Sequence, residues 1–142
     1  MASQVLVNGV KMSSTFPQSI SSKFWGVIAL ARQNYQQFLE LIEHMDREGL
    51  AQFCQTYQEA AYELSAEPFL PYLNQRLSED SLEDLFQWIV AQGRDYYMKI
   101  LETPSSMPQE INRSSPNLKI FSDAFTVYVR RFGEEPPPPY EV

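Results

Sequence analysis

The densest group of chemistry-bearing side chains is Glu79, Asp80, Glu83 and Asp84. Paired carboxylates at this spacing serve general acid/base or hydrolytic chemistry. They also fall where a helix is expected to begin, and carboxylates in a first turn complement the helix dipole without any catalytic duty. The single histidine, His44, stands among Glu40, Glu43 and Asp46 and reads as a solvated residue near a helix end. The single cysteine, Cys54, falls on an apolar stripe, whereas a thiol nucleophile needs exposure and a nearby base. One His and one Cys do not make a metal set. Glycine-rich phosphate loops, nucleophile elbows and kinase signatures are also missing. No residue is therefore expected to be catalytic or metal-binding, and no cofactor is implied.

Arg94 carries more information. Its helical neighbours three and four positions away are Val90, Ala91, Tyr97 and Met98, so it lacks a local carboxylate, while Lys99 has Asp95 and Glu102. Such an arginine either pairs across the core, with Glu59 or Glu63 of another helix as candidates, or faces an anionic ligand. The internal pair is the expectation and the anionic ligand its alternative. Trp25 and Trp88 read first as core aromatics, but Trp88 shares its face with Asp84, Gln92 and Asp95 and should reach a boundary. An aromatic rimmed by polar groups is a common interface anchor. The candidate binding residues are accordingly Trp25, Glu79, Asp84, Trp88, Gln92, Arg94 and Asp95. The terminal EEPPPPYEV should form a solvated polyproline II segment. Its Pro137–Tyr140 fits the PPxY pattern read by WW domains, set against a disordered or loosely docked terminus.

These residues need elements to hold them. A chain of 142 residues is long enough for one domain and buries roughly two thirds of its unfolded surface. With 44% apolar and 13% aromatic residues, it has the material for a core and is not composed like a disordered chain. Prolines are sparse from Pro17 to Pro68 and from Pro71 to Pro104, which marks two helical territories. Phe24, Ile28, Ala31, Tyr35, Phe38, Ile42 and Met45 recur at helical spacing after the capping pair Ser21–Ser22, as one long helix or as two broken near Gln33–Asn34. Past a junction at 45–49, Leu50, Phe53, Cys54, Tyr57, Ala61 and Leu64 mark another helix, ending near Ala66, and a short helix is expected after Pro68.

Ser78 or Ser81 should cap a helix of about 20 residues near 81–102, a long central element, stopped by Thr103–Pro104. Gly93 interrupts its apolar stripe of Leu82, Leu85, Phe86, Ile89, Tyr96, Tyr97 and Ile100. A glycine there costs about 1 kcal/mol against alanine, and a second helix crossing closely over it would compensate. A loop over 105–117 precedes a final helix over 118–132, capped by Gly133. The fold expected is all-α, with five to six helices over 21–133, an extension over 1–20 and a proline-rich tail over 134–142. In the extension Asn8–Gly9 signals a hairpin, and Met12 is a natural alternative start.

Phe24–Trp25 with Ile28 and Ala31–Arg32, followed by LEDLFQWIVAQGRDYYMKILETPSSMP, resembles a bacterial domain-of-unknown-function family, number four-two-four-zero, some of whose members carry a WGR domain. The resemblance spans about residues 22 to 133 and is most specific at Phe86, Trp88, Ile89, Gln92–Gly93–Arg94 and Tyr97. Two features depart from it. The segment between the first two helices is shorter, and NQRLSED stands where members have a glycine- and cysteine-containing turn. The resemblance implies a small bacterial helical domain and brings no activity, substrate or cofactor with it.

Eleven basic against eighteen acidic residues leave a net charge of −7, which disfavours nucleic acid and anionic membranes as partners. An unpaired cysteine and an N-terminus without a secretory pattern fit a reducing cytoplasm. The functional expectation is a non-enzymatic, regulatory or protein-interaction module that meets a basic protein partner through an acidic, aromatic-anchored face. Its alternatives are a small-ligand or enzymatic domain with an anion site at Arg94, and a structural subunit of a larger assembly.

Overall fold

A computed structural model describes residues 19–116 and 118–139. Six α-helices and no strands occur among them. They are α1 (Ser22–Gln33), α2 (Tyr35–His44), α3 (Arg47–Glu63), α4 (Glu79–Ala91), α5 (Arg94–Glu102) and α6 (Ile120–Phe132), with short 3-10 turns at Leu70–Tyr72 and Pro104–Ser106.

The helix starts follow from local side chains that answer otherwise unpaired amides. Ser21 accepts from the Phe24 amide at 3.2 Å, Asn34 from Gln37 at 3.1 Å, Asp46 from Gly49 at 2.7 Å and Ser78 from Ser81 at 3.1 Å. Asn34 therefore ends α1 and caps α2, so the break expected near Gln33–Asn34 is real. Ser78, rather than Ser81, caps α4 and moves its start to Glu79. Gly133 ends α6 at φ +78°, as a C-terminal glycine should.

The largest correction concerns the 81–102 segment. It is two helices, since Gln92 closes α4 and Gly93, at φ +106° and ψ 172°, opens α5. An L-residue is strained in that backbone region, and this accounts for the glycine. No helix crosses over it: a Cβ placed at Gly93 would meet only the Cδ of Arg32, at 3.8 Å. Nor is this segment the central element. That position belongs to α3, which packs on both α4 and α6, while α1 packs on α2, α2 on α6 and α4 on α5.

Buried faces of α3 carry Leu50, Phe53, Cys54, Tyr57, Ala60 and Ala61. Around it the rings interlock: Phe24 lies 5.1 Å from Phe53 and 6.0 Å from Tyr57, and Tyr57 lies 5.3 Å from Phe121. Core phenols also tie helix to helix through their hydroxyls, which must find acceptors once buried. Tyr57 donates to the Gln87 carbonyl at 2.7 Å and Tyr97 to the Ala60 carbonyl at 2.8 Å, so both α4 and α5 are pinned to α3. On the far side Tyr35 donates to Asp123 at 2.5 Å, joining α2 to α6. Arg131 donates to the Ile42 and Met45 carbonyls at 2.9 and 2.6 Å and so satisfies the C-terminal end of α2.

Between α3 and α4 the chain turns through a cis Glu67–Pro68 bond, and the helix expected after Pro68 is only the 3-10 turn Leu70–Tyr72. The tail is not a solvated rod over its described part. Pro136 is buried, Gln55 donates to the Pro137 carbonyl at 3.1 Å, and Arg47 pairs with Glu134. Tyr140, the Asn8–Gly9 hairpin signal and Met12 lie outside the described residues.

Candidate functional site

The sequence-predicted site residues spread over four hollows of the surface. Trp25, Gln92, Arg94 and Asp95 come together with Arg32 along a cleft of about 550 Å³ between α1 and the α4–α5 turn. Asp84 lines two other hollows, beside the 109–114 loop and beside Lys119. Glu79 lies on a fourth surface, between α3 and α4.

At the first cleft, Arg32 donates through Nη1 to the Gln92 side-chain oxygen at 3.1 Å and reaches the Ala91 carbonyl at 3.4 Å. Gln92 in turn donates through Nε2 to the Pro116 carbonyl at 2.8 Å and to the Trp88 carbonyl at 3.2 Å. Arg94 does not behave as expected. Its side chain is 59% exposed and lies 3.7 Å from Asp95, its sequence neighbour, and it makes no pair with Glu59 or Glu63. The cause is the break at Gly93: a helix that restarts there turns the Arg94 side chain toward solvent rather than onto α3. Two guanidinium groups thus border one cleft in a chain of net charge −7.

The tryptophans are core residues. Trp88 is 2% exposed; its Nε1 donates to the Pro116 carbonyl at 3.1 Å and its ring meets Tyr96 edge-on at 5.7 Å. Trp25 is 6% exposed and packs on Phe24 at 5.0 Å and Tyr97 at 5.5 Å. Trp88 therefore cannot be the boundary anchor expected of it: the 107–116 loop folds over the indole and takes up its polar edge. Pattern alone could not show this, because the loop residue that accepts the bond lies 28 positions away.

Large exposed hydrophobic side chains lie elsewhere. Tyr62 is 64% exposed, Leu70 50% and Tyr72 44%. Tyr62 and Leu70 stand at the edges of a groove of about 440 Å³ between the C-terminal half of α3 and the N-terminal half of α4, with Leu73, Leu82 and Phe86 inside it. Glu79 and Glu83 rise along its α4 side. Sequence reasoning passed over Tyr62, although a signal was present: it is an aromatic off the apolar stripe of its own helix, and the core has no use for it there.

Burial pushes the Cys54 thiol up to about 12, which leaves it protonated and inert as a nucleophile. Glu59 and Glu63, one turn apart on α3, are both held above the ordinary carboxylate range, chiefly by desolvation and for Glu63 also by the charge of Glu59. Among the described residues no group of His, Cys, Asp and Glu could hold a metal ion, and no helix is long and apolar enough to cross a membrane.

No curated protein and no solved structure matches the chain. The sequence pattern of one family, described as a protein of unknown function (DUF4240), matches residues 20–130, from just before α1 to within two residues of the end of α6. That span takes in the Arg32–Arg94 cleft and the Tyr62 groove alike, and the chain belongs to the DUF4240 family.

Proposed function

We propose that this chain is a non-enzymatic protein-interaction module of a bacterial cytoplasm and that its partner docks in the groove between α3 and α4. One observation carries the reading: Tyr62 and Leu70, both at least half exposed, flank an apolar floor with carboxylates on the rim. Large apolar side chains clustered in a concave, polar-edged patch mark interaction sites on soluble domains, whereas scattered ones carry no such meaning. Tyr62 takes the anchoring part that the sequence pattern suggested for Trp88. The partner is a protein with a basic face, since a net charge of −7 steers such partners in and repels acidic ones.

The test is a photocrosslinking amino acid placed at position 62 in the source cell, with the same residue at position 129, on the exposed side of α6, as control. The expected result is a discrete protein adduct from position 62 alone, reproduced with the purified partner and lost in Leu70→Asp. Equal adducts from both positions, or none from position 62, would count against the groove.

A second reading has its own observation, the pair Arg32 and Arg94 on one cleft. Here the module would bind a small anionic ligand, carboxylate or phosphate, between the two guanidinium groups. Titration of the isotopically labelled protein with inorganic phosphate and with succinate would show saturable perturbation of both arginines, abolished in Arg94→Ala. Unsaturable, salt-like perturbation would dismiss it.

A further inference from the structure

The groove beside Tyr62 is charged on one side only, and that asymmetry describes its partner. Glu79 and Glu83 sit four residues apart on α4, so their side chains project from the same face one turn apart. Both are exposed, and neither takes part in an ion pair among the described residues. Across the groove stand Gln58, Ala61 and Tyr62 of α3 and Ser65 just past its end, none of them charged. The floor between the walls is apolar, from Leu73 through Leu82 to Phe86, and Leu70 closes one edge from the 3-10 turn.

We infer that this groove receives a basic amphipathic helix that inserts one apolar edge between α3 and α4 and sets Lys or Arg side chains, one turn apart, against Glu79 and Glu83. The inference rests on the docking role proposed above and adds the partner's chemistry to it. A space of about 440 Å³ accepts a row of side chains, not a whole helix, so the partner lies along the groove and reads as anchors at i, i+3 or i+4, and i+7. Its cations belong on the flank over α4, at i and i+4, because that spacing reproduces the separation of the two carboxylates. Its other flank, over Tyr62, is polar and uncharged. Arginine suits this role better than lysine, since it can grip a carboxylate through two parallel bonds.

The full chain can be tested with a fluorescein-labelled helical peptide of leucine and lysine, carrying its lysines at i and i+4 along one flank, and with a second peptide in which glutamate replaces each lysine. Fluorescence anisotropy should show the lysine peptide binding at least about tenfold more tightly than the glutamate peptide. Glu79→Gln combined with Glu83→Gln should weaken the lysine peptide by about tenfold, and Leu70→Asp or Tyr62→Ala should weaken it as well. Every substituted side chain is exposed, and a thermal melt of each variant verifies that the fold persists.

Equal binding of both peptides, lost in Leu70→Asp, would retain the groove as a docking site and overturn the basic partner. Lysine-peptide binding that ignores Leu70→Asp and Tyr62→Ala would be attraction to net charge alone and would overturn the inference, as would failure of both peptides to bind. A concentration-dependent dimer that Leu70→Asp dissolves would assign the groove to a second copy of this chain and overturn it too.

Discussion

Arg32 Nη1 donates to Gln92 Oε1 at 3.1 Å, a link between side chains 60 residues apart that fastens the end of α1 to the turn where α4 stops and α5 begins. Gln92 is held from the other side by the Pro116 carbonyl, so the turn is gripped by α1 and by the 107–116 loop together. Gly93 sits directly after this clamp, and its φ of +106° lets the chain change direction while Gln92 stays in place.

Gly93→Ala should therefore destabilise by about 1–3 kcal/mol, the cost of holding an L-residue in that backbone region. Gly93→Leu should cost about the same, because the only heavy atom near a new Cβ is the Arg32 Cδ at 3.8 Å, ordinary van der Waals contact. Urea unfolding of both variants checks this. A leucine penalty far above the alanine penalty would point to overpacking against α1, whose Arg32 approaches Gly93 no closer than ordinary contact distance.

Arg94→Ala should fold with stability within about 0.5 kcal/mol of the parent, since an exposed arginine with one neighbouring partner at 3.7 Å contributes little. The same urea midpoints measure it. A loss of several kcal/mol would restore the buried pair that the sequence pattern suggested.

What could be read from the chain alone separates along physical lines. Periodicity located the helical stretches but not the break between α4 and α5, because apolar spacing on α1, α3 and α6 reports a buried face directly. Capping chemistry placed the starts of α1 and α4 to within a residue or two. The stripe through Gly93 misled, because two helices meeting at a turn can keep their apolar residues nearly in phase, and periodicity is blind to the φ of one residue between them. The covering of the polar edge of Trp88 and the docking of Pro136 were illegible for another reason: both depend on segments that return from far along the chain, the 107–116 loop and the tail over α3. Of the candidate binding residues, Arg94 and Gln92 did converge on a cleft, but the second arginine there, Arg32, carried no sign of it in its local pattern.

Trp88→Ala should cost about 3–5 kcal/mol, as expected for removing a large aromatic from a closed core. Trp88→Phe should cost only about 1–2 kcal/mol, because the Pro116 carbonyl keeps its bond from Gln92 at 2.8 Å and is not left bare. Combining Trp88→Phe with Gln92→Ala removes both donors, so the double variant should lose more than the two single losses added together. Additive losses, measured by thermal unfolding, would show that the two donors act independently on the loop.

Glu63 supplies the pH dependence. Desolvation by burial, with the neighbouring charge of Glu59 behind it, holds its folded-state carboxyl above its ordinary value of 4.5. The folded chain thus binds this proton more tightly than the unfolded chain, and stability falls as pH rises from about 4.5 through the raised folded value. Above that window the ionised Glu63 is a standing penalty; below 4.5 both states are protonated and the penalty is gone. Glu63→Gln keeps the shape and removes the charge, so it should raise the urea midpoint near neutral pH and leave it nearly unchanged well below the carboxylate range. A gain in stability that persisted unchanged in acid would trace to packing rather than to charge, and would remove Glu63 as the origin of the pH dependence.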